Sequence, residues 1–515
     1  RGRSMLPLFF VSSMTLTARP SPLAPLLHHP LLPPASLNLL SRSPPRMSVE
    51  SPAAGKAVAP SGDFTPPPPT SSLAGAIALV AGTTVGAGIL ALPAKTLAAG
   101  IVPTTGTLLA SWVYMASSGL LIAEVNVNTL CALERSAVSL STMTEETLGV
   151  AGSRVSSLAY VFIHYTLLVA YMLQGGTLLL ELGAALPPLA ALPAATAGPP
   201  LFAALLGGAL LLCPPAVVEK VNAVAVGGVI ATFGLLLGLG AQQVDPALLA
   251  HVDVPAVVPA IPVMVLSLVY HNVVPTICYQ LGCDLPRIRT AILAGSAIPT
   301  LMFIAWCAVI LGSVPFDAAD AAVAAGETFD PLALLRSSGD AFGEVVRVFS
   351  LLAVSTSFVG FYYGLTDFFA DALGLDQRNE RAAAAGGGAA AAAGAAERGE
   401  EPREEGDAAA RRTPQQRALL TALALLPPLG FALSDPSIFF SALDNAGTYG
   451  ILTLFGIIPA AMAWAQRYGD GDAEPGDAVA PAALPGGRAT LVAMIVAAGA
   501  VVSVETWERL AAAGW

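Results

Sequence analysis

Three glycines, Gly82, Gly86 and Gly88, fall within seven positions of an apolar run that continues uncharged from Leu73 to Leu92. Each costs about 1 kcal/mol against alanine in a helix, and non-helical backbone is tolerated at membrane depth only where it is buried in protein or lines a wet cavity. Thr83, Thr84, Gly86, Ala87 and Gly88 therefore read as a helix that stops and restarts, presenting bare amides at the start of its second half. Amides at the positive end of a helix dipole suit a carboxylate. The competing reading is close helix packing, since Gly82 and Gly86 form a small-xxx-small pair.

A second interruption is written into Val258–Gln280. Pro275 has no N–H, so the carbonyl of His271 loses its helical donor, and Tyr270, His271 and Asn272 stand where the gap opens. Free carbonyls from Val269 to His271 suit an ammonium group. Two interrupted spans in corresponding places of two halves point to the midplane site of a secondary transporter.

Other residues could couple an ion to that site. His271 titrates near neutrality in its ordinary state and is placed at the turn. Glu124 lies in an apolar segment with no cation of its own, and an ionisable group inside a membrane is functional by default. Its alternative is to pair with a neighbouring helix. Asp367 and Asp444 are weaker candidates, nearer to helix ends or to polar neighbours. Ser355 and Thr356, followed by Ser357, could lend hydroxyl oxygens to sodium, although such hydroxyls also bond their own helix backbone.

Composition decides the class. The 515 residues are 55% apolar and 11% charged, with mean hydropathy +0.70, too little charge for the exterior of a water-soluble protein of this size. Apolar runs of about 20 residues make the spans helical, so the lipid bilayer is the first partner. The net charge of −11 is spread over loops, and no basic nucleic-acid patch is present. No protein partner is evident. Gly82-x-x-x-Gly86-x-Gly88 is no phosphate loop, having no preceding strand and no following Gly-Lys-Ser/Thr. With no nucleophile triad, cofactor motif or metal cluster visible, an enzyme is not expected. Cys131, Cys213, Cys278, Cys283 and Cys307 lie in or beside apolar segments without zinc spacing, and read as packing residues.

Residues 1–70 form a Ser-, Arg- and Pro-rich leader with no acidic residue before Glu50, as organelle transit peptides have. A plastid inner envelope is the expected destination, with a mitochondrial inner membrane or the plasma membrane as alternatives. A transporter core occupies 71–468, and a loop with one last helix occupies 469–515. After the broken span 1, the expected spans are Val102–Leu130, Ser156–Leu186, Pro200–Cys213, a fifth that follows Glu219 and Lys220 and ends near Gly240, the broken sixth, Ala291–Val314, Glu344–Leu373, Gln416–Leu433, Ile438–Trp464 and Ala489–Val504. An Ala/Gly linker at 376–414 interrupts the core.

With the N-terminus inside, this count puts Arg135, Arg154, Lys220, Arg287, Arg289, seven arginines between 378 and 417, Arg467 and Arg488 on the inner side. Only Lys95, Arg336, Arg347 and Arg509 fall outside. That is the positive-inside pattern, and omitting the short fourth span would destroy it. Spans 1 and 6 each open a group of five. Because five is odd, the groups cross in opposite senses, giving a 5+5 inverted repeat plus one helix.

Three passages carry a family resemblance. "VAGTTVGAGILALPAKTLAAGIVPTTG" (80–106) resembles the first span of bacterial tyrosine- and tryptophan-specific permeases. "HNVVPTICYQLGCDLPRIRTAILAGSAIPTLMFIAWCAVILGSVP" (271–315) resembles their sixth and seventh, and "SLLAVSTSFVGFYYGLTDFFADALG" (350–374) their eighth. The resemblance covers about 73–468 and implies the leucine-transporter fold, with aromatic amino acid uptake driven by a proton or, as the alternative, by sodium. No cofactor is implied. His271-Asn272-Val273 replaces the small residues expected in span 6, and the long linker is a departure.

Because 376–414 lacks apolar periodicity, exchanging it for a shorter Gly/Ser linker of sufficient reach is expected to leave transport rates unchanged. Loss of transport with normal membrane insertion would give the segment a structural or regulatory role.

Overall fold

The computed structural model describes residues 69–86, 88–133, 138–183, 191–316, 329–337, 339–375, 412–435, 438–469 and 480–512. The leader up to 68, Ala87 and linker residues 376–411 lie outside the described residues. The fold is all-α, and the protein is a multi-pass membrane protein. Ten helices are long and apolar enough to cross a bilayer, or eleven when the bent pair Leu73–Thr84 and Gly88–Thr96, at 56°, counts as span 1. Spans 2 to 5 are Ile101–Leu133, Leu140–Leu182, Ala194–Leu212 and Pro215–Gly240. Spans 6 to 8 are Pro255–Gln280, Leu285–Ser313 and Ala341–Ala372. Spans 9 to 11 are Pro414–Ser434, Phe439–Tyr468 and Gly487–Ala512.

The boundaries differ from expectation in instructive places. Span 3 begins at Leu140, capped by Ser139, so Glu145 and Glu146 are helical rather than in a loop. Gly149, at φ 69°, divides that polar stretch from the span proper, a conformation glycine adopts without a Cβ clash. Span 4 starts six residues early, with Pro199 and Pro200 inside it. The gain is contact: a Cβ on Gly176 of span 3 would collide with the backbone of Gly198 and Pro199. Two glycines thus let spans 3 and 4 touch backbone to backbone, the small-residue contact by which membrane helices pack.

The packing has the expected repeat. Exchanging spans 1 to 5 for spans 6 to 10 converts the contact of spans 1 and 7 into that of spans 6 and 2, and both exist. The same holds for 3–4 with 8–9, 3–9 with 8–4, 3–10 with 8–5, and 2–10 with 7–5. Span 10 breaks the symmetry, because it also packs on span 6, while span 5 has no comparable contact with span 1 among the described residues. Accordingly, the apolar window of span 10 is 78% buried and that of span 5 only 22%. Residues Ala446–Ile457 of span 10 are π-helical, a backbone form that frequently marks functional segments. Span 11 packs on span 10 and stands outside the repeat.

Ion pairs supply a test of sidedness independent of the arginine count. Lys95 pairs with Asp444 (2.5 Å), Arg336 with Glu181 (3.1 Å), Arg347 with Glu344 (2.7 Å) and Arg509 with Glu505 (3.5 Å). On the other side Arg467 pairs with Glu124 (2.5 Å) and Arg412 with Asp367 (2.7 Å). Every pair joins residues that eleven spans place on the same side. Omitting span 4 would put Lys95 and Asp444, or Glu124 and Arg467, on opposite faces. All four outward cations are also paired with carboxylates, so the positive-inside bias survives.

Gly176→Val is expected to abolish recovery of a monodisperse folded protein, whereas Gly208→Ala, whose added Cβ meets nothing within 4 Å, should behave as wild type in size-exclusion chromatography. Equal recovery of both variants would remove the backbone contact between spans 3 and 4 from the account.

Candidate functional site

Span 1 stops because its glycines leave the helix little reason to continue. Thr83 and Thr84 turn their hydroxyls back onto the carbonyls of Leu79 (2.7 Å) and Val80 (2.8 Å), closing the first half. Val85 is extended, and the second half begins at Gly88. Between them the amides of Gly86 and Gly88 find no acceptor among the described residues, while Gly86 O accepts from Ile89 N (3.2 Å). Two amides at the start of a helix within a span are an arrangement that can receive an anion. Ala87, expected to line the same turn, lies outside the described residues.

What faces the turn explains its glycines. A Cβ on Gly86 would come within 2.9 Å of Ser357 Oγ in span 8, and one on Gly88 within 2.7 Å of Ser267 Oγ and 3.1 Å of Ser267 Cα in span 6. A Cβ on Gly82 would meet nothing within 4 Å. The pair Gly82 and Gly86 is therefore not a helix-packing motif. Glycine is needed at 86 and 88 so that span 1 can approach spans 8 and 6. One turn of backbone thus meets hydroxyls from two other spans.

Span 6 is interrupted too, but its side chains point elsewhere. Its helix runs over Ile261–Ser267 and resumes through a 3-10 turn, His271–Val273, into Val274–Gln280. The carbonyls of Tyr270 and His271 accept from Val273 N (3.0 Å) and Val274 N, so they are not free as the sequence suggests. The tightened turn supplies at i+3 the donor that Pro275 removes at i+4. The carbonyl of Val269 has no backbone donor among the described residues.

Tyr270 Oη and His271 Nε2 both donate to Met115 O in span 2, at 3.2 and 3.1 Å, and the His271 ring stacks on Tyr270 and on Phe455 of span 10. A carbonyl only accepts, so Nε2 carries the hydrogen. His271 Nδ1 is buried without a partner among the described residues. Asn272, also expected at the site, is exposed.

The coupling candidates divide. Glu124 is 2% exposed and receives Arg467 Nε (2.6 Å), Arg467 Nη2 (2.5 Å) and Ala483 N (2.7 Å). Its cation comes from the end of span 10, which extends past the expected Trp464. The fork ties span 2, span 10 and the segment before span 11 together, as the helix-partner reading of Glu124 requires. Thr356 donates to its own helix at Leu352 O (3.0 Å) and Ala353 O (3.1 Å), and Ser355 is half-buried beside it. Asp444 and Asp367 belong to ion pairs. Among the described residues no cluster of His, Cys, Asp and Glu could hold a metal ion.

Ser267 was not singled out by spacing and carries no motif, whereas Ser357 ends the Ser355-Thr356-Ser357 run that the sequence offers to sodium. Around them spans 3 and 8 form an aromatic face. His164 and Phe361 lie 5.0 Å apart between ring centroids, Tyr171 and Phe361 5.7 Å, and Tyr160 and Phe368 5.1 Å. The helical spacing of Tyr160, His164 and Tyr171 is the one signal that could have found it.

Residues 69–386 and 407–505 match the model of the tryptophan/tyrosine permease family. A tryptophan-specific transport protein of Pseudomonas aeruginosa is 30% identical over 317 residues, covering 59% of this chain and 73% of its own. The tyrosine-specific transport system 2 of Haemophilus influenzae is 30% identical over 397 residues, covering 76% of this chain and 87% of its own. A solved Na+-coupled sialic acid symporter aligns with 79% of this chain and 81% of its own, at 13% identity and a TM-score of 0.39.

Breaking the Glu124–Arg467 fork should leave a buried charge unpaired, at about 3–5 kcal/mol. Glu124→Gln and Arg467→Gln are each expected to lower the melting temperature of the purified protein, with part of the loss recovered when both positions are made apolar. A Glu124→Gln protein that melts like wild type but no longer responds to a pH gradient would make Glu124 the proton carrier instead.

Proposed function

The chain belongs to the tryptophan/tyrosine permease family, and on that premise we propose that it is a secondary active transporter of aromatic amino acids, working by alternating access with proton symport. The observation that carries this reading is the span 1 turn, where the amides of Gly86 and Gly88, without an acceptor among the described residues, meet Ser267 and Ser357 from spans 6 and 8. The substrate carboxylate sits on those amides at the start of the second half-helix. The carbonyl of Val269 accepts from the ammonium. The side chain lies along the aromatic face of spans 3 and 8, where ring edges and faces complement an indole or phenol.

His271 is the proton carrier in this reading. Its Nδ1 is buried at the span 6 turn and unpartnered among the described residues, its Nε2 is fixed on span 2, and its ring rests on the π-helical part of span 10. A proton on Nδ1 therefore acts on three spans at once. Sodium coupling through Ser355 and Thr356 is the alternative, as is another neutral amino acid as substrate. The Ser/Arg-rich leader supports a plastid inner envelope.

Proteoliposomes under an inward acid gradient should accumulate labelled tryptophan or tyrosine, and a protonophore should abolish the accumulation. Gly88→Val is expected to lower uptake about tenfold or more through overpacking against Ser267, while Gly82→Ala transports normally. His271→Gln should lose gradient-driven accumulation yet keep exchange of internal for external substrate. No uptake of any aromatic or neutral amino acid under either a proton or a sodium gradient would end the transporter reading. Full pH-driven accumulation by His271→Gln would move the coupling elsewhere.

A further inference from the structure

Ile89 follows Gly88 directly in the second half of span 1, and it carries a carbonyl that its own helix cannot serve in the usual way. The donor four residues on would be the N–H of residue 93, and Pro93, inside the same half-helix, has none. Ile89 is fully buried. A backbone carbonyl at that depth needs a donor from elsewhere in the protein.

That donor comes from span 7. Trp306 Nε1 donates to Ile89 O at 3.0 Å. The indole is itself fully buried, and its ring packs between Phe349 of span 8, 5.5 Å away between centroids, and Phe233 of span 5, at 6.3 Å. These neighbours fix the ring plane, and a buried indole N–H needs an acceptor as much as the carbonyl needs a donor. On its other side Ile89 N donates to Gly86 O (3.2 Å). The residue next to the glycine amides is thus held both from within the turn and from span 7.

Span 7 also grips the first half of span 1. A Cβ on Gly295 would come within 2.5 Å of Val80 Cβ and 2.9 Å of Ile77 O. Gly295 and Trp306 are separated by about three helical turns and so lie on one face of span 7. That face bridges the bend in span 1, meeting the helix before it through a glycine and the helix after it through the indole. On the reading that the substrate carboxylate sits at Gly86 and Gly88, we propose that Trp306 is a positioning residue of the transport site. Its N–H replaces the donor that Pro93 removes and sets where the second half-helix, and the amides at its start, stand. Proline at 93 leaves Ile89 O to a side chain of another span, so this half-helix takes its position from span 7 as well as from its own ladder.

The test uses the full-length protein, in proteoliposomes with labelled tryptophan or tyrosine and, purified without substrate, in thermal unfolding. Trp306→Phe keeps a ring between Phe233 and Phe349 but loses the donor. It should raise KM about tenfold, as one unmade buried hydrogen bond would, with a smaller change in maximal rate. A loss of folded molecules alone would lower the maximal rate and leave KM where it was. Pro93→Ala returns an N–H to residue 93, so Pro93→Ala/Trp306→Phe should recover most of the KM and of the melting temperature that Trp306→Phe loses. An unchanged KM in Trp306→Phe, or losses that Pro93→Ala does not reduce, would overturn the assignment. If Trp306→Phe does not fold, recovery of folded protein by the double variant supports the assignment and failure of both overturns it. Wild type that takes up neither amino acid would count against the transport reading, whereas the melting comparison decides the role of the indole without any substrate.

Discussion

Inside a bilayer, a backbone amide without a partner is an expense that only protein or ligand can offset, and the turn between Thr84 and Gly88 concentrates that expense. Two amides lack acceptors there among the described residues, and spans 6 and 8 close on the turn with hydroxyls. Glycine at 86 and 88 lets them approach. The span 6 turn, by contrast, satisfies two of its three suspect carbonyls through a 3-10 turn, so it is less a second cradle than a hinge presenting Val269 O and His271.

Charge is managed by a complementary rule. Ion pairs join spans at the two ends of the bundle, Lys95 with Asp444 and Glu181 with Arg336 at one, Glu124 with Arg467 at the other. Several join first-half spans to second-half ones, so they fasten the two repeats to each other at their ends and leave the middle to glycines, hydroxyls and rings. Pairs of this kind are weak sources of stability but costly to break one-sidedly, which makes them fixed points around which the middle can rearrange. Span 10 departs from the repeat in being drawn in, π-helical and stacked on His271, as an element that responds to a proton would be.

Much of this was legible from residue order. Apolar runs lead to an all-α bundle with ten, or up to eleven, helices able to cross a membrane. The exchange symmetry of packed pairs then appears in space where an odd-numbered repeat demands it. Side-chain direction was not legible. Tyr270 and His271 are adjacent to the span 6 turn in sequence, yet their rings serve span 2 and span 10, because the 3-10 turn rotates them there. Glu124 has no cation nearby in sequence, and its partner comes from 343 residues away. Ser267 carries no motif, since hydroxyls are scattered through every span, and Ser357 stood out only as the end of a Ser-Thr-Ser run. Their meaning depends on a convergence that only the fold supplies.

The central claim is that the substrate occupies the gap between the span 1 turn and Ser357. A single-cysteine reporter tests it: Ser357→Cys, in the otherwise intact protein in proteoliposomes, modified by a small water-soluble thiol reagent. Saturating tryptophan or tyrosine should slow that modification markedly, while glutamate should not. A rate indifferent to every amino acid that the protein transports would contradict the placement of the site.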